Sequence, residues 1–346
     1  MSQLLSLIDA VRAGDDARVA AQLKDWPGPP ISGLRDPDGQ TLLNLAAQYG
    51  HQPVFERLVQ QHAVDPNVPD KLGMTAAHHV AMFGHAHMVE SLKAAGANLG
   101  LKDQSGLTPA QVAAVSAQAS LRSLYASDTP STLKALVQAG APVPRSVGDW
   151  PPPGRGRGSM TADRVKACQD QVDRVATELA MADLGKNRKG GASSTQIDRL
   201  RCAVSLKPFA LQGPDRPVLL PAGAARAAAD PLRKVLEQLD VSRFMVSADE
   251  AKKILESDKP RNPFQRTDIS RTDADAFLRS QAFRQGDADR LGEIRSMVNA
   301  YLDARSPAAQ TGKGLHYTDV LKAVDAHFLS GASPAGAPRA PAGPPH

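Results

Sequence analysis

The chain has 346 residues, 42% of them apolar, which is enough material for more than one folded core. Its net charge of +5 is modest for that length, and no dense Lys/Arg run interleaved with aromatics is present, so nucleic acid is not the expected partner. Two cysteines, Cys168 and Cys202, give no disulfide framework and fit a reducing compartment, and nothing approaches the roughly 18 consecutive apolar residues of a membrane span.

The N-terminal MSQLLSLIDAVRAGDDA meets acidic residues by Asp9 and reads as an amphipathic helix, not as a secretory signal. The expected location is therefore the cytoplasm, unless a secretion system that ignores such signals exports the protein. Self-similarity follows at once. The element D-x-x-G-x-T occurs as Asp36-Gly39-Thr41, Asp70-Gly73-Thr75 and Asp103-Gly106-Thr108, and each copy leads into a helical pattern: LLNLAAQYGH, AAHHVAMFGH and PAQVAAVSA. Each unit predicts a β-turn feeding two short antiparallel helices with Ala-rich inner faces that let neighbours stack closely.

Residues 1–145 thus resemble ankyrin repeats, with Gly50-His51 and Gly84-His85 at the family's inter-helix turn and AGAN and AGAP closing second helices. LIDAVRAGDDARVAAQLK is the expected N-terminal capping unit, with Gly14 at its turn. The resemblance implies protein binding through turn tips and concave face, with Asp36, Asp70 and Asp103 as candidate target-binding residues. It also implies that His78 hydrogen-bonds between neighbouring loops. His79 stands where the family prefers an aliphatic residue, and either weakens the core or faces a ligand. SAQASLRSLYASDTP is too long for one loop and reads as an insertion in the third unit.

Residues 146–160, SVGDWPPPGRGRGSM, have the Pro/Gly density of a linker between two folded bodies. Residues 161–199 hold a helix and a connector. The helix carries Val165, Cys168, Val172, Val175 and Leu179 at helical spacing, with Thr161 as N-cap and Gly185 as a stop. Cys168 lies on that apolar stripe and reads as a packed thiol. The connector GKNRKGGASST lacks the order of a phosphate-binding loop.

Residues 200–280 contain three pieces in order: Cys202-Ala203-Val204-Ser205-Leu206, then Arg216-Pro217-Val218-Leu219-Leu220-Pro221-Ala222-Gly223, and finally Asn262-Pro263-Phe264-Gln265-Arg266. Two helical runs, DPLRKVLEQL and ADEAKKILES, compete for the place before the last piece; the second runs directly into it and is favoured. The three pieces resemble a U-box, the metal-free relative of the RING in ubiquitin ligases. Ala203 replaces the pattern's proline, and the aromatic-Asp-Arg expected after Gly223 is missing.

The resemblance implies a groove for a ubiquitin-conjugating enzyme built from Val204, Leu206, Pro263 and Phe264. It also implies that Arg266 bridges the conjugating enzyme and its ubiquitin, making Arg266 the candidate catalytic residue. Cys202 is then no nucleophile. No cofactor or metal is implied: no histidine lies between His87 and His316 and Cys202 is the one cysteine of the candidate module, so a zinc RING with Cys/His ligands cannot be built.

Residues 281–330 are expected to be C-terminal helices. Asp287-Ala288-Asp289 imitates a calcium loop, but Leu291 and Val298 stand where oxygen ligands are needed, so DADRLGEIRSMVNAYLDA reads as an amphipathic helix. LHYTDVLKAVDAHFL is expected to be another, and residues 331–346 a Pro/Ala tail that cannot fold. The expected fold is mostly α: a solenoid followed by a small α+β U-box-like domain with flanking helices. The expected function is that of a bacterial effector ligase, in which the repeats bind a host target protein and the C-terminal domain recruits charged conjugating enzyme. The rival is an interaction protein without catalytic output.

Overall fold

The computed structural model describes residues 2–24, 26–118, 128–152, 160–186, 202–205, 207, 209, 211, 213–221, 245–263 and 267–305. These residues are mostly helical. The expected helices LHYTDVLKAVDAHFL and DPLRKVLEQL, and the body of the third-unit insertion, lie outside them.

The solenoid begins with α1 (Ser2–Ala13) and α2 (Asp16–Lys24), followed by the pairs α3 (Leu42–Tyr49) and α4 (Gln52–His62), α5 (Ala76–Phe83) and α6 (Val89–Ala94), and α7 (Pro109–Gln118) and α8 (Thr129–Gln138). In each of the three full units the finger loop ends on a threonine that bonds to the residue three positions later, Asn44, His78 or Gln111, and so closes the first turn. Thr41 Oγ1 accepts from Asn44 N at 3.0 Å, Thr75 and His78 form a capping box, and Thr108 N donates to Gln111 Oε1 at 2.9 Å.

The same three side chains also reach forward into the next finger. Asn44 Nδ2 donates to Val68 O at 3.4 Å, His78 Nε2 pairs with Leu107 O at 3.1 Å and Gln111 Nε2 donates to Asp149 O at 3.3 Å. One position per unit therefore lies in the first turn of its own helix and fastens the following segment through its side chain. The inter-unit histidine expected at position 78 is found, with Asn44 and Gln111 as its equivalents.

A second ladder runs backward. His51 Nε2 pairs with Arg12 O and His85 Nε2 with Gln48 O, both at 2.9 Å. The rings lie over the preceding turn, where Gly50 has φ +75° and a Cβ would come 2.7 Å from His85 Nδ1. Glycine is required there twice over, for the left-handed backbone and for the close approach. Between the ladders, buried Leu42, Leu43, Leu45, Ala46 and Ala47 in one unit and Ala76, Ala77, Val80 and Ala81 in the next share one apolar core.

Downstream of α8 the structure departs from expectation. The segment read as a spacer is packed where it is described: Trp150 is 5% exposed and its Nε1 donates to Gln169 Oε1 at 2.8 Å. Its Pro/Gly content concealed one large aromatic whose apolar body gains from burial and whose N–H found a partner. Gln169 lies on α9 (Ala162–Lys186), which runs through Gly185 instead of stopping there. Val165, Cys168, Val172, Val175 and Leu179 are buried as their spacing predicts, and α9 covers α7 and α8 at the end of the array. Burial pushes the Cys168 thiol up to about 11, and its Sγ lies 3.7 Å from Ala114 O.

The remaining described elements are short strands and helices. Strand β1 (Pro217–Val218) pairs antiparallel with β2 (Val246–Ser247), and β3 (Arg261–Asn262) with β4 (Thr267–Asp268). Helix α10 (Ala248–Glu256) follows β2 directly, with Ser247 as its N-cap, and packs against β1, β2 and β3. Then come α11 (Arg271–Arg279), α12 (Gln281–Gln285) and α13 (Ala288–Arg305). Helix α13 packs on α9, where Arg295 donates to Arg145 O at 3.0 Å and Arg305 to Gln138 O at 2.8 Å; Arg145 also pairs with Asp303.

Candidate functional site

Two surfaces matter: the fingers of the solenoid, and the loops around α10. In the fingers the aspartates chosen from the sequence point inward. Asp36 Oδ1 accepts Gln40 N at 2.9 Å while Oδ2 takes Arg12 at 3.1 Å, and this carboxylate is fully buried. Asp70 Oδ1 accepts Leu72 N at 2.8 Å and Met74 N at 2.9 Å; Asp103 Oδ1 accepts Ser105 N and Leu107 N at the same distances. Asp36, Asp70 and Asp103 thus build the fingers, and the side chains of Asp36 and Asp70 are buried in doing so. The reason is local: a carboxylate beside a turn satisfies N–H groups that would otherwise lack partners.

His79 resolves in the same way. Its Nε2 lies 2.9 Å from Asp70 Oδ2, and both side chains are nearly inaccessible, at 4% and 3% exposure. Burial pushes the Asp70 carboxyl up, but the His79 bond and the Met74 and Leu72 N–H groups outweigh it and hold the group below its ordinary range. His79 therefore braces its own finger from the core position that an aliphatic residue was expected to fill.

What the fingers offer to solvent is the tip. Asp38, Leu72 and Ser105 occupy the equivalent position in successive turns, and Leu72 is 62% exposed. The sequence carried a signal for this in an apolar residue between Lys71 and Gly73, where the other turns are polar.

Around α10, backbone bonds set the loops. Cys202 N donates to Lys207 O at 2.8 Å, closing the first loop, and Ala203 N donates to Met245 O at 3.0 Å, tying it to the residue before β2. Cys202 is fully buried and its sulfur accepts Ser205 N and Ser247 N, each at 3.4 Å. Burial raises this thiol, while bonds from Ser205, Ser247 and Val204 outweigh it and leave the group below its ordinary value. With no exposure, Cys202 is a loop brace.

Val204, in the same loop, is 45% exposed. In the second loop Asn262 is buried and its Nδ2 donates to Pro221 O at 3.2 Å, while Pro263 faces solvent at the turn. Leu206, Phe264 and Arg266 lie outside the described residues. Beneath these loops Arg216 donates twice to Phe283 O, at 2.9 and 2.6 Å, and stacks over the Phe283 ring. Among the described residues no group of three or more His, Cys, Asp or Glu could hold a metal ion, and no helix is long and apolar enough to cross a membrane.

Comparison with known proteins bears on the first of these surfaces. Residues 7–103 and 43–135 match the family model for ankyrin repeats (3 copies). Over 110 residues, 32% of this chain, it is 29% identical to the inhibitor of Bruton tyrosine kinase of Xenopus laevis. Over 97 residues, 27% of the chain, it is 32% identical to alpha-latrocrustotoxin-Lt1a of Latrodectus tredecimguttatus. It is 36% identical over 85 residues, 23% of the chain, to human ankyrin repeat domain-containing protein 63. The matched stretches span 8%, 7% and 22% of those three proteins. The solenoid is an ankyrin-repeat array, a scaffold for binding other proteins.

Proposed function

We propose that the protein is a ubiquitin ligase whose ankyrin array holds a target while the loops around α10 recruit a ubiquitin-conjugating enzyme. One observation carries this reading: a loop with exposed Val204, the β1–β2 pair, helix α10 and a turn with exposed Pro263 succeed one another in the order of the U-box pattern. Both apolar side chains stand on loops fixed by backbone and amide bonds, which is what a shallow protein-binding groove needs.

In this reading the chain forms no covalent bond to ubiquitin. A target lysine amine attacks the thioester carbonyl, an isopeptide bond forms, and the conjugating enzyme's thiolate leaves. Val204, Leu206, Pro263 and Phe264 hold the conjugating enzyme, and Arg266 restrains the ubiquitin tail, so the contribution to rate is positioning. The cellular setting follows from the chemistry: a bacterial chain of this kind would act as an effector inside a host cell, where charged conjugating enzyme is available.

The test is autoubiquitination by the full chain across a panel of conjugating enzymes, with Val204→Arg and Arg266→Ala alongside. Transfer by wild type that both variants lose, with unchanged circular dichroism, is the expected result. Silence of the wild type across the panel would favour the second reading, a binding-only ankyrin protein. The ankyrin family match, which covers the repeats, speaks for that reading.

A further inference from the structure

We propose that the finger edge of the array is a docking surface for an extended acidic segment of a partner protein, with one apolar side chain of that segment seated on Leu72. Among the described residues Leu72 is the most exposed of the large apolar side chains, and it stands at the tip position occupied by Asp38 and Ser105 in the neighbouring fingers. Around it the exposed cations Arg35, Lys71 and Lys102 lie on three successive fingers. None of the three forms an ion pair with a described residue.

The finger carboxylates are engaged within the turns and form no ion pair with these cations. Asp36 is neutralised by Arg12, Asp70 is bound by His79 and two backbone N–H groups, and Asp103 is occupied by two backbone N–H groups. Asp38 is the acidic side chain left facing outward at a tip. An edge with three outward cations and an apolar tip among them, its aspartates at positions 36, 70 and 103 tied into the turns, complements carboxylates flanking an apolar residue.

Two of the cations, Lys71 and Arg35, are also held in place. Lys71 Nζ reaches back to Pro37 O at 2.7 Å, its stem crossing Gly39 so closely that a Cβ there would lie 2.7 Å from Lys71 Cγ. Arg35 reaches forward to Pro69 O at 3.3 Å while also holding Gly39 O at 3.1 Å. Gln104 Nε2 continues the chain of cross-finger bonds to Lys71 O at 2.7 Å. The carbonyl partners fix the side chains without neutralising them, so less ordering entropy is lost when a carboxylate arrives. A nucleic acid would meet the same cations but would gain nothing from Leu72, and no exposed aromatic on the finger tips offers a base a stacking face.

This inference holds for the array with or without the ligase reading, and under that reading the acidic segment marks the target. It is tested without ubiquitin, by selecting a displayed random library of roughly 12-residue peptides on the full chain and measuring the selected peptides by fluorescence anisotropy. Enrichment of peptides with several Asp or Glu around one Leu, Ile or Phe is expected. Lys71→Glu and Leu72→Asp should each weaken them about tenfold, Ser105→Ala should not, and affinity should fall as salt rises. Melting curves that match wild type keep the variants interpretable. Four outcomes would overturn the proposal: no enrichment; peptides without acidic bias; binding insensitive to both substitutions; or displacement of the peptides by a mixed-sequence oligonucleotide at equal charge concentration.

Discussion

The array and the part around α10 hold themselves together by different rules. In the array one bond recurs at Asn44, His78 and Gln111, each reaching the backbone of the next finger. Around α10 each contact occurs once: Cys202 sulfur with Ser247 N, Asn262 with Pro221 O, Arg216 with Phe283 O. Repetition spreads stability over equivalent neighbours, so a single loss is local. In a small unit of unique contacts each loss is felt throughout.

Trp150 stands where the array meets α9 and should give the largest effect. Removing its buried ring in Trp150→Ala is expected to cost about 3–5 kcal/mol, with amide protection falling in both α7–α8 and α9. Loss confined to one of them would mean that α9 is a separate body. Next is Leu255→Ala in α10, where the side chain is fully buried. A cost of about 2–5 kcal/mol should appear in exchange of residues 245–279 while the array's protection stays as it was. A matching loss in the array would erase the distinction between the two regions.

His78 offers a milder probe of the repeated bond. Burial holds its imidazole below the ordinary 6.5, as it does for His85. The unfolded chain therefore binds more protons than the folded one just below that value. The stability these groups support is complete above pH 6.5 and declines as pH falls through their lowered folded values. His78→Asn, the residue that the preceding unit uses at position 44, should keep the inter-finger bond and flatten the acid side of a plot of Tm against pH. An unchanged slope would assign the acid sensitivity to other groups. The smallest effect belongs to Arg145→Ala, which removes an exposed pair with Asp303 between the array's end and α13. A change within about 1 kcal/mol is expected, and it should vanish at high salt.

Legibility followed the same division. The repeat spacing, the D-x-x-G-x-T element, the inter-finger role of His78 and the apolar stripe of α9 were all readable, because each rests on a local period or a pattern repeated along the chain. Asp36, Asp70 and Asp103 were read as binding residues because a conspicuous charge in a turn looks outward on paper. Whether a carboxylate turns out or folds back depends on the N–H groups two and four residues on, which the sequence does not orient. Trp150 was hidden in a Pro/Gly stretch, and Gly185 ended nothing.

By itself the sequence determined that a stack of turn–helix–helix units forms and which side chains face its core, since periods of 3.6 and of one repeat are properties of the chain. Only the tertiary structure decided that the array continues through Trp150 into α9 and α13, and that the fingers present Leu72 and three cations while burying the side chains of Asp36 and Asp70. Those outcomes depend on which groups meet across distant parts of the chain, and burial and pairing, unlike periodicity, are settled only when the neighbours are in place.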